Sequence, residues 1–411
     1  MKESDIKEID SKIILNSKGE KTIETDVYTS TGFGRASTPT GTSAGKHEVK
    51  QTPEKPKELI KKAERQLYPS IIGMNSENQE EIDEKIKEID GTENLENYGA
   101  AITLSLSTAI AKAAADTEEK PLYFHLEERN EYILPQPLGK LIGGGQHAGK
   151  GPEIQEFLSI PIKTDTFKES CIVNVKMQKN VKKILKKKDK HFTAGKDLEN
   201  GYTTTLNNEK SLETIKEARE KTLKQIKEKE NGLNPEIDIK LGIDVAASEF
   251  YRKGKYQYQD KERTPEEQLE YIQKLIEKYD LEYIEDPLQE EDYEKHAELT
   301  EKNPEKTICG DDLFTTKIER LEKGIEKKAC NSILIKPNQI GTITETRKTI
   351  KKAKEIGYTP VISHRSGETN DSTIAHIALA ENIPIIKTGI AGGERVAKLN
   401  ELIRIEHYIS R

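Results

Sequence analysis

Six short apolar runs in the second half of the chain each break off at an ionisable residue. They are Leu241-Gly-Ile-Asp244, Tyr283-Ile-Glu285, Thr307-Ile-Cys-Gly-Asp311, Ile333-Leu-Ile-Lys336, Val361-Ile-Ser-His364 and Ile385-Ile-Lys387. One charge at the end of an apolar run is an ordinary solvent-facing residue. Six in succession are not: carboxylates and lysines converging on one mouth would repel within each sign unless a ligand joined them. Three carboxylates from adjacent strands make a site for a hard cation, with water or substrate oxygens completing the shell, and that preference suits Mg²⁺. No His pair stands at ligand spacing, which argues against zinc. A lysine facing such a cation and a second lysine is pushed toward its neutral form. It could then remove a proton whose anion the metal stabilises.

Other patterns carry less. Gly41-Thr-Ser-Ala-Gly45-Lys46 has three residues between its glycines where a phosphate loop needs four, and His47 stands where Ser or Thr is required, so it reads as a mobile Gly/Ser loop. Gly143-Gly-Gly-Gln-His-Ala-Gly149 lacks the spacing of a dinucleotide fingerprint. The lysine run from Lys182 to Lys190 reads as a solvated helix face.

The elements that must position these residues follow from spacing. The ends of the six runs are separated by 41, 26, 25, 28 and 23 residues. An interval in the mid-twenties suits one strand, one helix and two short loops, the unit of a parallel α/β structure. Thr264-Pro-Glu-Glu267 is a capping box with proline at the first helical position, and Leu269, Ile272 and Ile276 follow on one face. Ile343, Thr346, Ile350 and Ala353 mark another helix, ended by Gly357. Six such units, with room for two more between about residues 140 and 235, predict an eight-fold barrel, whose active site lies at the C-terminal ends of its strands.

The first part of the chain has a different rhythm. Ile23, Thr25, Val27 and Thr29 alternate as in a half-buried strand, and Ser30-Thr-Gly32 makes a hairpin turn. Ile102 to Ala115 is nearly all small and apolar, as in a helix buried on several sides. Leu134-Pro-Gln-Pro137 marks the boundary region, and we place the domains at 1–130 (α+β) and 131–411 (barrel).

Composition narrows the function classes. Of 411 residues, 34% are charged and only 33% are apolar, but 66 basic against 73 acidic residues leave a net charge of −7, without the basic excess of a nucleic-acid binder. No apolar stretch reaches membrane-spanning length, and the N-terminus has no signal-peptide pattern. Cys171, Cys309 and Cys330 show no metal or redox spacing, so a cytoplasmic protein with free thiols is expected.

The runs above, taken with Gly242-Ile-Asp-Val-Ala-Ala-Ser-Glu-Phe-Tyr251, Ile284-Glu-Asp-Pro287, Asn338-Gln-Ile-Gly341, Ser363-His-Arg-Ser-Gly-Glu-Thr369, His147-Ala-Gly149 and Gln155-Glu-Phe157, resemble the enolase family over nearly the whole chain. The resemblance implies a small α+β domain followed by that family's variant of the α/β barrel, whose first units depart from simple repetition, which would also account for the 41-residue interval. It implies a glycolytic lyase that dehydrates 2-phosphoglycerate to phosphoenolpyruvate with two Mg²⁺ per site, working as a homodimer or larger homo-oligomer. Asp244, Glu285 and Asp311 would hold the first ion and Ser43 the second. Lys336 would be the base, Lys387 would meet the substrate carboxylate, Arg365 and Ser366 would bind phosphate, and His147, Glu156 and His364 would line the pocket. The usual Gly-Asp-Glu-Gly-Gly-Phe-Ala-Pro segment, which carries the general acid, is replaced by Gly195-Lys-Asp-Leu-Glu-Asn-Gly-Tyr-Thr-Thr204. Glu199 is the candidate acid and Asp197 the alternative. Two rival readings stand beside this one: a diverged paralogue that enolises another hydroxy acid, and an enolase-like scaffold without turnover.

Overall fold

The computed structural model describes residues 3–41, 47–52, 54–149, 151–228 and 232–410. The alternation at Ile23, Thr25 and Val27 forms the middle strand of an antiparallel sheet made of β1 (Glu8–Leu15), β2 (Lys21–Tyr28) and β3 (Phe33–Ser37). Tyr28 pairs with Phe33 across the expected hairpin turn. The helix Gly99–Thr117 lies on this sheet, and its small residues let it be buried along almost its whole length. One side packs Ile102, Leu106, Ala109 and Ala113 into a core with Ile23, Val27 and Ala36. The other side meets the barrel, where Thr103 Oγ1 donates to the Gly341 carbonyl at 2.8 Å and Ser107 Oγ accepts from the Ile343 N–H at 3.0 Å.

Eight strands make the barrel: β4 (Gln136–Gly143), β5 (Glu156–Ile162), β6 (Asp238–Asp244), β7 (Leu281–Glu285), β8 (Thr307–Gly310), β9 (Ser332–Ile335), β10 (Thr359–Ser363) and β11 (Ile385–Lys387). They follow one another around the ring in chain order, and β11 closes it by pairing parallel with β4. β5 runs antiparallel to both neighbours, so the barrel opens with two antiparallel strands and two helices, Phe167–Lys188 and Asn208–Lys227, before regular repetition begins. The irregular start agrees with the resemblance, but it does not explain the 41-residue interval. That interval holds a small excursion, the strands Tyr251–Arg252, Lys255–Gln257 and Glu262–Arg263, inserted between β6 and the helix Pro265–Tyr279.

The local signals hold. Thr264 and Glu267 form the capping box of the helix Pro265–Tyr279. The helix Ile343–Glu355 buries Thr346, Ile350 and Ala353, and Gly357 takes the left-handed turn beyond it. Val181, Ile184 and Leu185 face inward from the helix Phe167–Lys188, while Lys182, Lys183, Lys186, Lys187 and Lys188 are exposed, the solvated face expected. Among the described residues no helix is long and apolar enough to cross a membrane.

Candidate active site

Side chains alternate across a strand, so a residue two places beyond an inward-facing one also faces inward. Inside the barrel, Leu138, Leu158, Tyr283, Cys309, Leu334, Val361 and Ile385 form one apolar layer. Two places nearer the mouth the same strands supply Lys140, Glu156, Glu285, Asp311, Lys336, Ser363 and Lys387. β6 adds Asp244 two places beyond Gly242, where a Cβ would lie 2.8 Å from the Tyr283 Cβ, so only glycine leaves room for that ring. Because β5 runs in reverse, its first residue is the one at the mouth. Glu156 pairs with Asp244, and Asp244 with Glu285, which sets the three carboxylates level. An apolar floor under a polar layer is thus a consequence of the two-residue period. Seven of these eight polar residues are buried, and Lys336 is half-buried.

Charges in such a place need partners, because burial without them costs several kcal/mol per ion. The Lys387 ammonium bonds both Glu285 oxygens at 2.8 Å and Asp244 Oδ2 at 3.0 Å, and stands 3.4 Å from Glu156 Oε1. Tyr283 donates its hydroxyl to Glu285 Oε2 at 2.7 Å. Lys336 pairs with Asp311 Oδ2. Burial opposes the charge on both lysines, yet the surrounding carboxylates hold both above the ordinary amine value. The expected repulsion is corrected, since each lysine is paired with a carboxylate; the expected shift of Lys336 toward its neutral form depends on a bound cation and belongs to the metal-loaded site. Burial and the neighbouring Asp244 push Glu285 well above the carboxylate range, whereas Asp244, equally buried, is drawn below it by Lys387.

The loop from Gly195 to Thr204 also reaches the cavity. Glu199 is 5% exposed and faces the cavity; its Oε2 accepts from Lys140 Nζ at 2.9 Å, and its Oε1 is 3.9 Å from His364 Nε2. Burial favours its neutral form, but Lys140, His147, His364 and Arg395 together hold it well below the usual range. Glu156 goes the other way: burial outweighs Lys140 and Lys387 and pushes it up to about 8. Asp197 turns its Oδ1 back into its own loop, accepting from the Glu199 N–H at 3.0 Å and the Gly201 N–H at 2.8 Å. His364 accepts at Nδ1 from Arg395 at 2.9 Å, which leaves its proton on Nε2.

Residues 131–411 match the family described as "Enolase, C-terminal TIM barrel domain", and residues 6–126 match "Enolase, N-terminal domain". The chain belongs to the enolase family. It is 47% identical to the enolase of Methanosphaera stadtmanae over 98% of this chain and 97% of the relative. It is 44% identical to the enolase of Methanothermobacter thermautotrophicus, covering 99% and 97%. It is 42% identical to that of Archaeoglobus fulgidus, covering 99% and 98%.

Enolase architecture brings most of the expected residues to one cavity. His147, Glu156, Glu199, Asp244, Asp311, Lys336, His364, Arg365, Ser366 and Lys387 all line it. Glu285 does not reach its surface, because the Lys387 ammonium covers it. Ser43 lies outside the described residues. The family implies a divalent metal, and the residues fit one: the donors are hard oxygens, and Asp311 Oδ1 is buried without a hydrogen-bond partner among the described residues. The tightest groupings are nevertheless Asp286–Asp311–Asp312 and His147–Glu156–Glu199, not the expected Asp244–Glu285–Asp311. In the second grouping the cation is the protein's own Lys140.

Four contributors were not anticipated from the sequence: Lys140, Glu48, Asp286 and Arg395. Glu48, from the small domain, holds the Arg365 guanidinium at 3.2 and 3.3 Å. Asp286 accepts from the Asp311 and Asp312 N–H groups, both at 2.8 Å, and so shapes the turn that carries Asp311. Arg395 binds the carbonyls of Leu198 and Ser366 at 3.0 and 2.9 Å, tying the Glu199 loop to the Arg365 loop. Lys140 carried a readable signal: Leu138-Gly-Lys140 has the same inward alternation as Ile385-Ile-Lys387.

Proposed function

We propose that the chain performs the enolase reaction, the reversible dehydration of 2-phosphoglycerate to phosphoenolpyruvate, with Lys336 and Glu199 on opposite walls of one cavity. The observation that carries this reading is the strand order. β9, which leads to Lys336, stands four strands from β5, the half-way point of an eight-strand ring, and Glu199 leans on Lys140 of the adjacent β4. A substrate held between them has its C2 proton toward one wall and its C3 hydroxyl toward the other, the geometry of an anti elimination.

Removing a proton beside a carboxylate places a second negative charge on that carboxylate. General-base catalysis supplies about 10²–10⁴-fold, too little alone for such a step. Asp244, Glu285 and Asp311 would hold a divalent cation, which would supply the electrostatic stabilisation that this charge requires. Lys387, centred among Asp244, Glu285 and Glu156, is placed to add its own charge at the substrate carboxylate. Lys336 acts as the base in its neutral form, after its ammonium has given a proton to solvent, a loss that separation from Asp311 favours. Arg365 presents a planar fork to phosphate oxygens, beside the Ser366 hydroxyl. Glu199 passes a proton to the departing hydroxide. Its Oε1, on the cavity side beside His364, is the oxygen placed for that transfer. Asp197 is the weaker candidate, since it serves its own loop and does not line the cavity.

The same reading takes two Mg²⁺ per site, with Ser43 serving the second, and a cytoplasmic homodimer or larger homo-oligomer. Three free cysteines suit a reducing compartment, and the exposed Ile13, Leu15, Tyr28 and Phe33 of the small sheet offer a surface for a second copy. The test is Mg²⁺-dependent formation of phosphoenolpyruvate, followed by absorbance. Turnover of 2-phosphoglycerate supports the reading. Turnover only of other hydroxy acids, or metal binding without turnover, overturns it in favour of the paralogue or the scaffold.

A further inference from the structure

Lys140 has no role in the chemistry above, and it does not line the cavity, although Glu156, His147 and Glu199 do. It stands directly behind them, 1% exposed. Its ammonium is 2.8 Å from His147 Nδ1, 2.9 Å from Glu199 Oε2, 2.8 Å from Asp197 Oδ2 and 3.7 Å from Glu156 Oε1. The space for this arrangement comes from Gly143, where a Cβ would sit 1.8 Å from Asp197 Oδ2. Asp197 in turn fixes the turn that carries Glu199 through its two backbone hydrogen bonds. Gly143, Asp197 and Lys140 therefore form one packed unit under the wall that bears Glu199.

We propose that Lys140 is a positioning residue for the leaving-group wall, fixing which oxygen of Glu199 and which tautomer of His147 face the substrate; this rests on the reading that places Glu199 at the departing hydroxide. An ammonium only donates, so His147 Nδ1 must accept, and the imidazole carries its proton on Nε2. The same ammonium occupies Glu199 Oε2, which leaves Oε1 as the oxygen for proton transfer. His364, fixed by Arg395 with its own proton on Nε2, stands beside that oxygen. Burial and Lys140 also keep His147 below its ordinary value, so the ring stays neutral. The groups that lower Glu199 most are Lys140, His147, His364 and Arg395, from four different segments, and Glu156 and Lys387 also act on it. Of these, Lys140 alone is bonded to both Glu199 and His147.

The test uses the full-length, Mg²⁺-loaded protein and Lys140→Met, which keeps a similar length but removes the charge and the donors. Nitrogen-15 shifts of His147 should show the Nε2–H tautomer in the parent and a mixture in the variant. The carbon-13 titration of the Glu199 carboxyl should move upward, since its nearest cation is gone. Phosphoenolpyruvate formation should fall about 10²-fold while exchange of the C2 proton with deuterated water changes less than about threefold. An unchanged His147 tautomer and an unchanged Glu199 titration in a folded variant overturn the proposal. So does a parallel loss of exchange and dehydration, which marks a merely structural role. Gly143→Ala displaces Asp197, which does not line the cavity, and should lower dehydration selectively. If Lys140→Met does not fold, normal dehydration by Gly143→Ala overturns the proposal. Glu199→Gln separates the two claims: normal dehydration there refutes Glu199 as the acid, while a tautomer shift in Lys140→Met would still stand.

Discussion

If proton removal and hydroxide departure belong to opposite walls, each step can be broken alone. Glu199→Gln keeps the side chain's size, and the amide oxygen can still accept from Lys140, but the amide holds no proton that hydroxide can take. Loss of a general acid costs about 10²–10⁴-fold, or roughly 3–5 kcal/mol of barrier, so phosphoenolpyruvate formation should fall by that factor. Exchange of the C2 proton should survive. Lys336 bonds Asp311, Glu199 bonds Lys140, and among the described residues they share no hydrogen-bond partner. Groups without common partners couple by only about 0.3–0.5 kcal/mol, so exchange should change about twofold at most. Lys336→Ala should do the reverse, abolishing exchange and therefore dehydration as well. The assay is proton NMR of 2-phosphoglycerate in deuterated water beside absorbance of phosphoenolpyruvate. Parallel loss of exchange and dehydration in Glu199→Gln would refute the division between the walls. Normal dehydration would move the acid to Glu156.

Three further outcomes follow from the same geometry. Arg365→Lys keeps the charge but loses the planar fork, so KM for 2-phosphoglycerate should rise on the order of tenfold; steady-state kinetics with unchanged KM and kcat would end the phosphate assignment. Asp311→Asn should weaken Mg²⁺ binding by at least about 10–100-fold while circular dichroism stays normal, and calorimetry showing parent-like affinity would remove Asp311 from the metal site. Asp189 anchors the far end of the Glu199 loop, accepting from Thr204 Oγ1, Thr205 N–H and Thr205 Oγ1 at 2.7, 2.8 and 2.7 Å. Burial opposes its charge, but these bonds lower its carboxyl to about 2 from an ordinary 3.8. A folded value below the unfolded one means stabilisation that is full above the unfolded value and lost as pH falls toward 2, so Asp189→Asn should flatten the loss of stability on acidification in denaturant titrations.

How far this was readable depended on which physical rule wrote each feature. Strand ends at Asp244, Glu285, Asp311, Lys336 and Lys387 were readable because an apolar run that stops at a charge is a local signal, and its spacing repeats. The cap at Thr264 and the Ala-rich helix Gly99–Thr117 were readable for the same reason. The direction of β5 was not. Glu156-Phe-Leu-Ser-Ile-Pro-Ile162 is buried at its first six positions, and such a run has no mark of parallel or antiparallel pairing. Direction is decided by which connection can reach, a property of the whole barrel. The excursion after Asp244 was missed because its strands, two or three residues long, are too short to show a period.

Charge pairing was the part of the site hardest to read, because it joins residues far apart in the chain. Treating the strand ends as a row of charges suggested repulsion, and that holds only if lysines and carboxylates stay apart. In the barrel they do not: Lys387 meets Asp244 and Glu285 across 143 and 102 positions of sequence, and Lys140 meets Glu199 across 59. A buried carboxylate layer over an apolar floor has to be neutralised for the chain to fold. Lysines do this with the residues the reaction itself needs. The pairing also sets a condition on catalysis. Lys336 is held charged by Asp311, so to serve as the proposed base it must first lose its own proton, and Asp311, like Glu156, keeps a buried oxygen without a hydrogen-bond partner among the described residues. On the other wall Lys140 has no such release, because Asp197, Glu199 and His147 all lie on it and none pairs with another lysine among the described residues. One wall is arranged to let its lysine go, and the other to keep it.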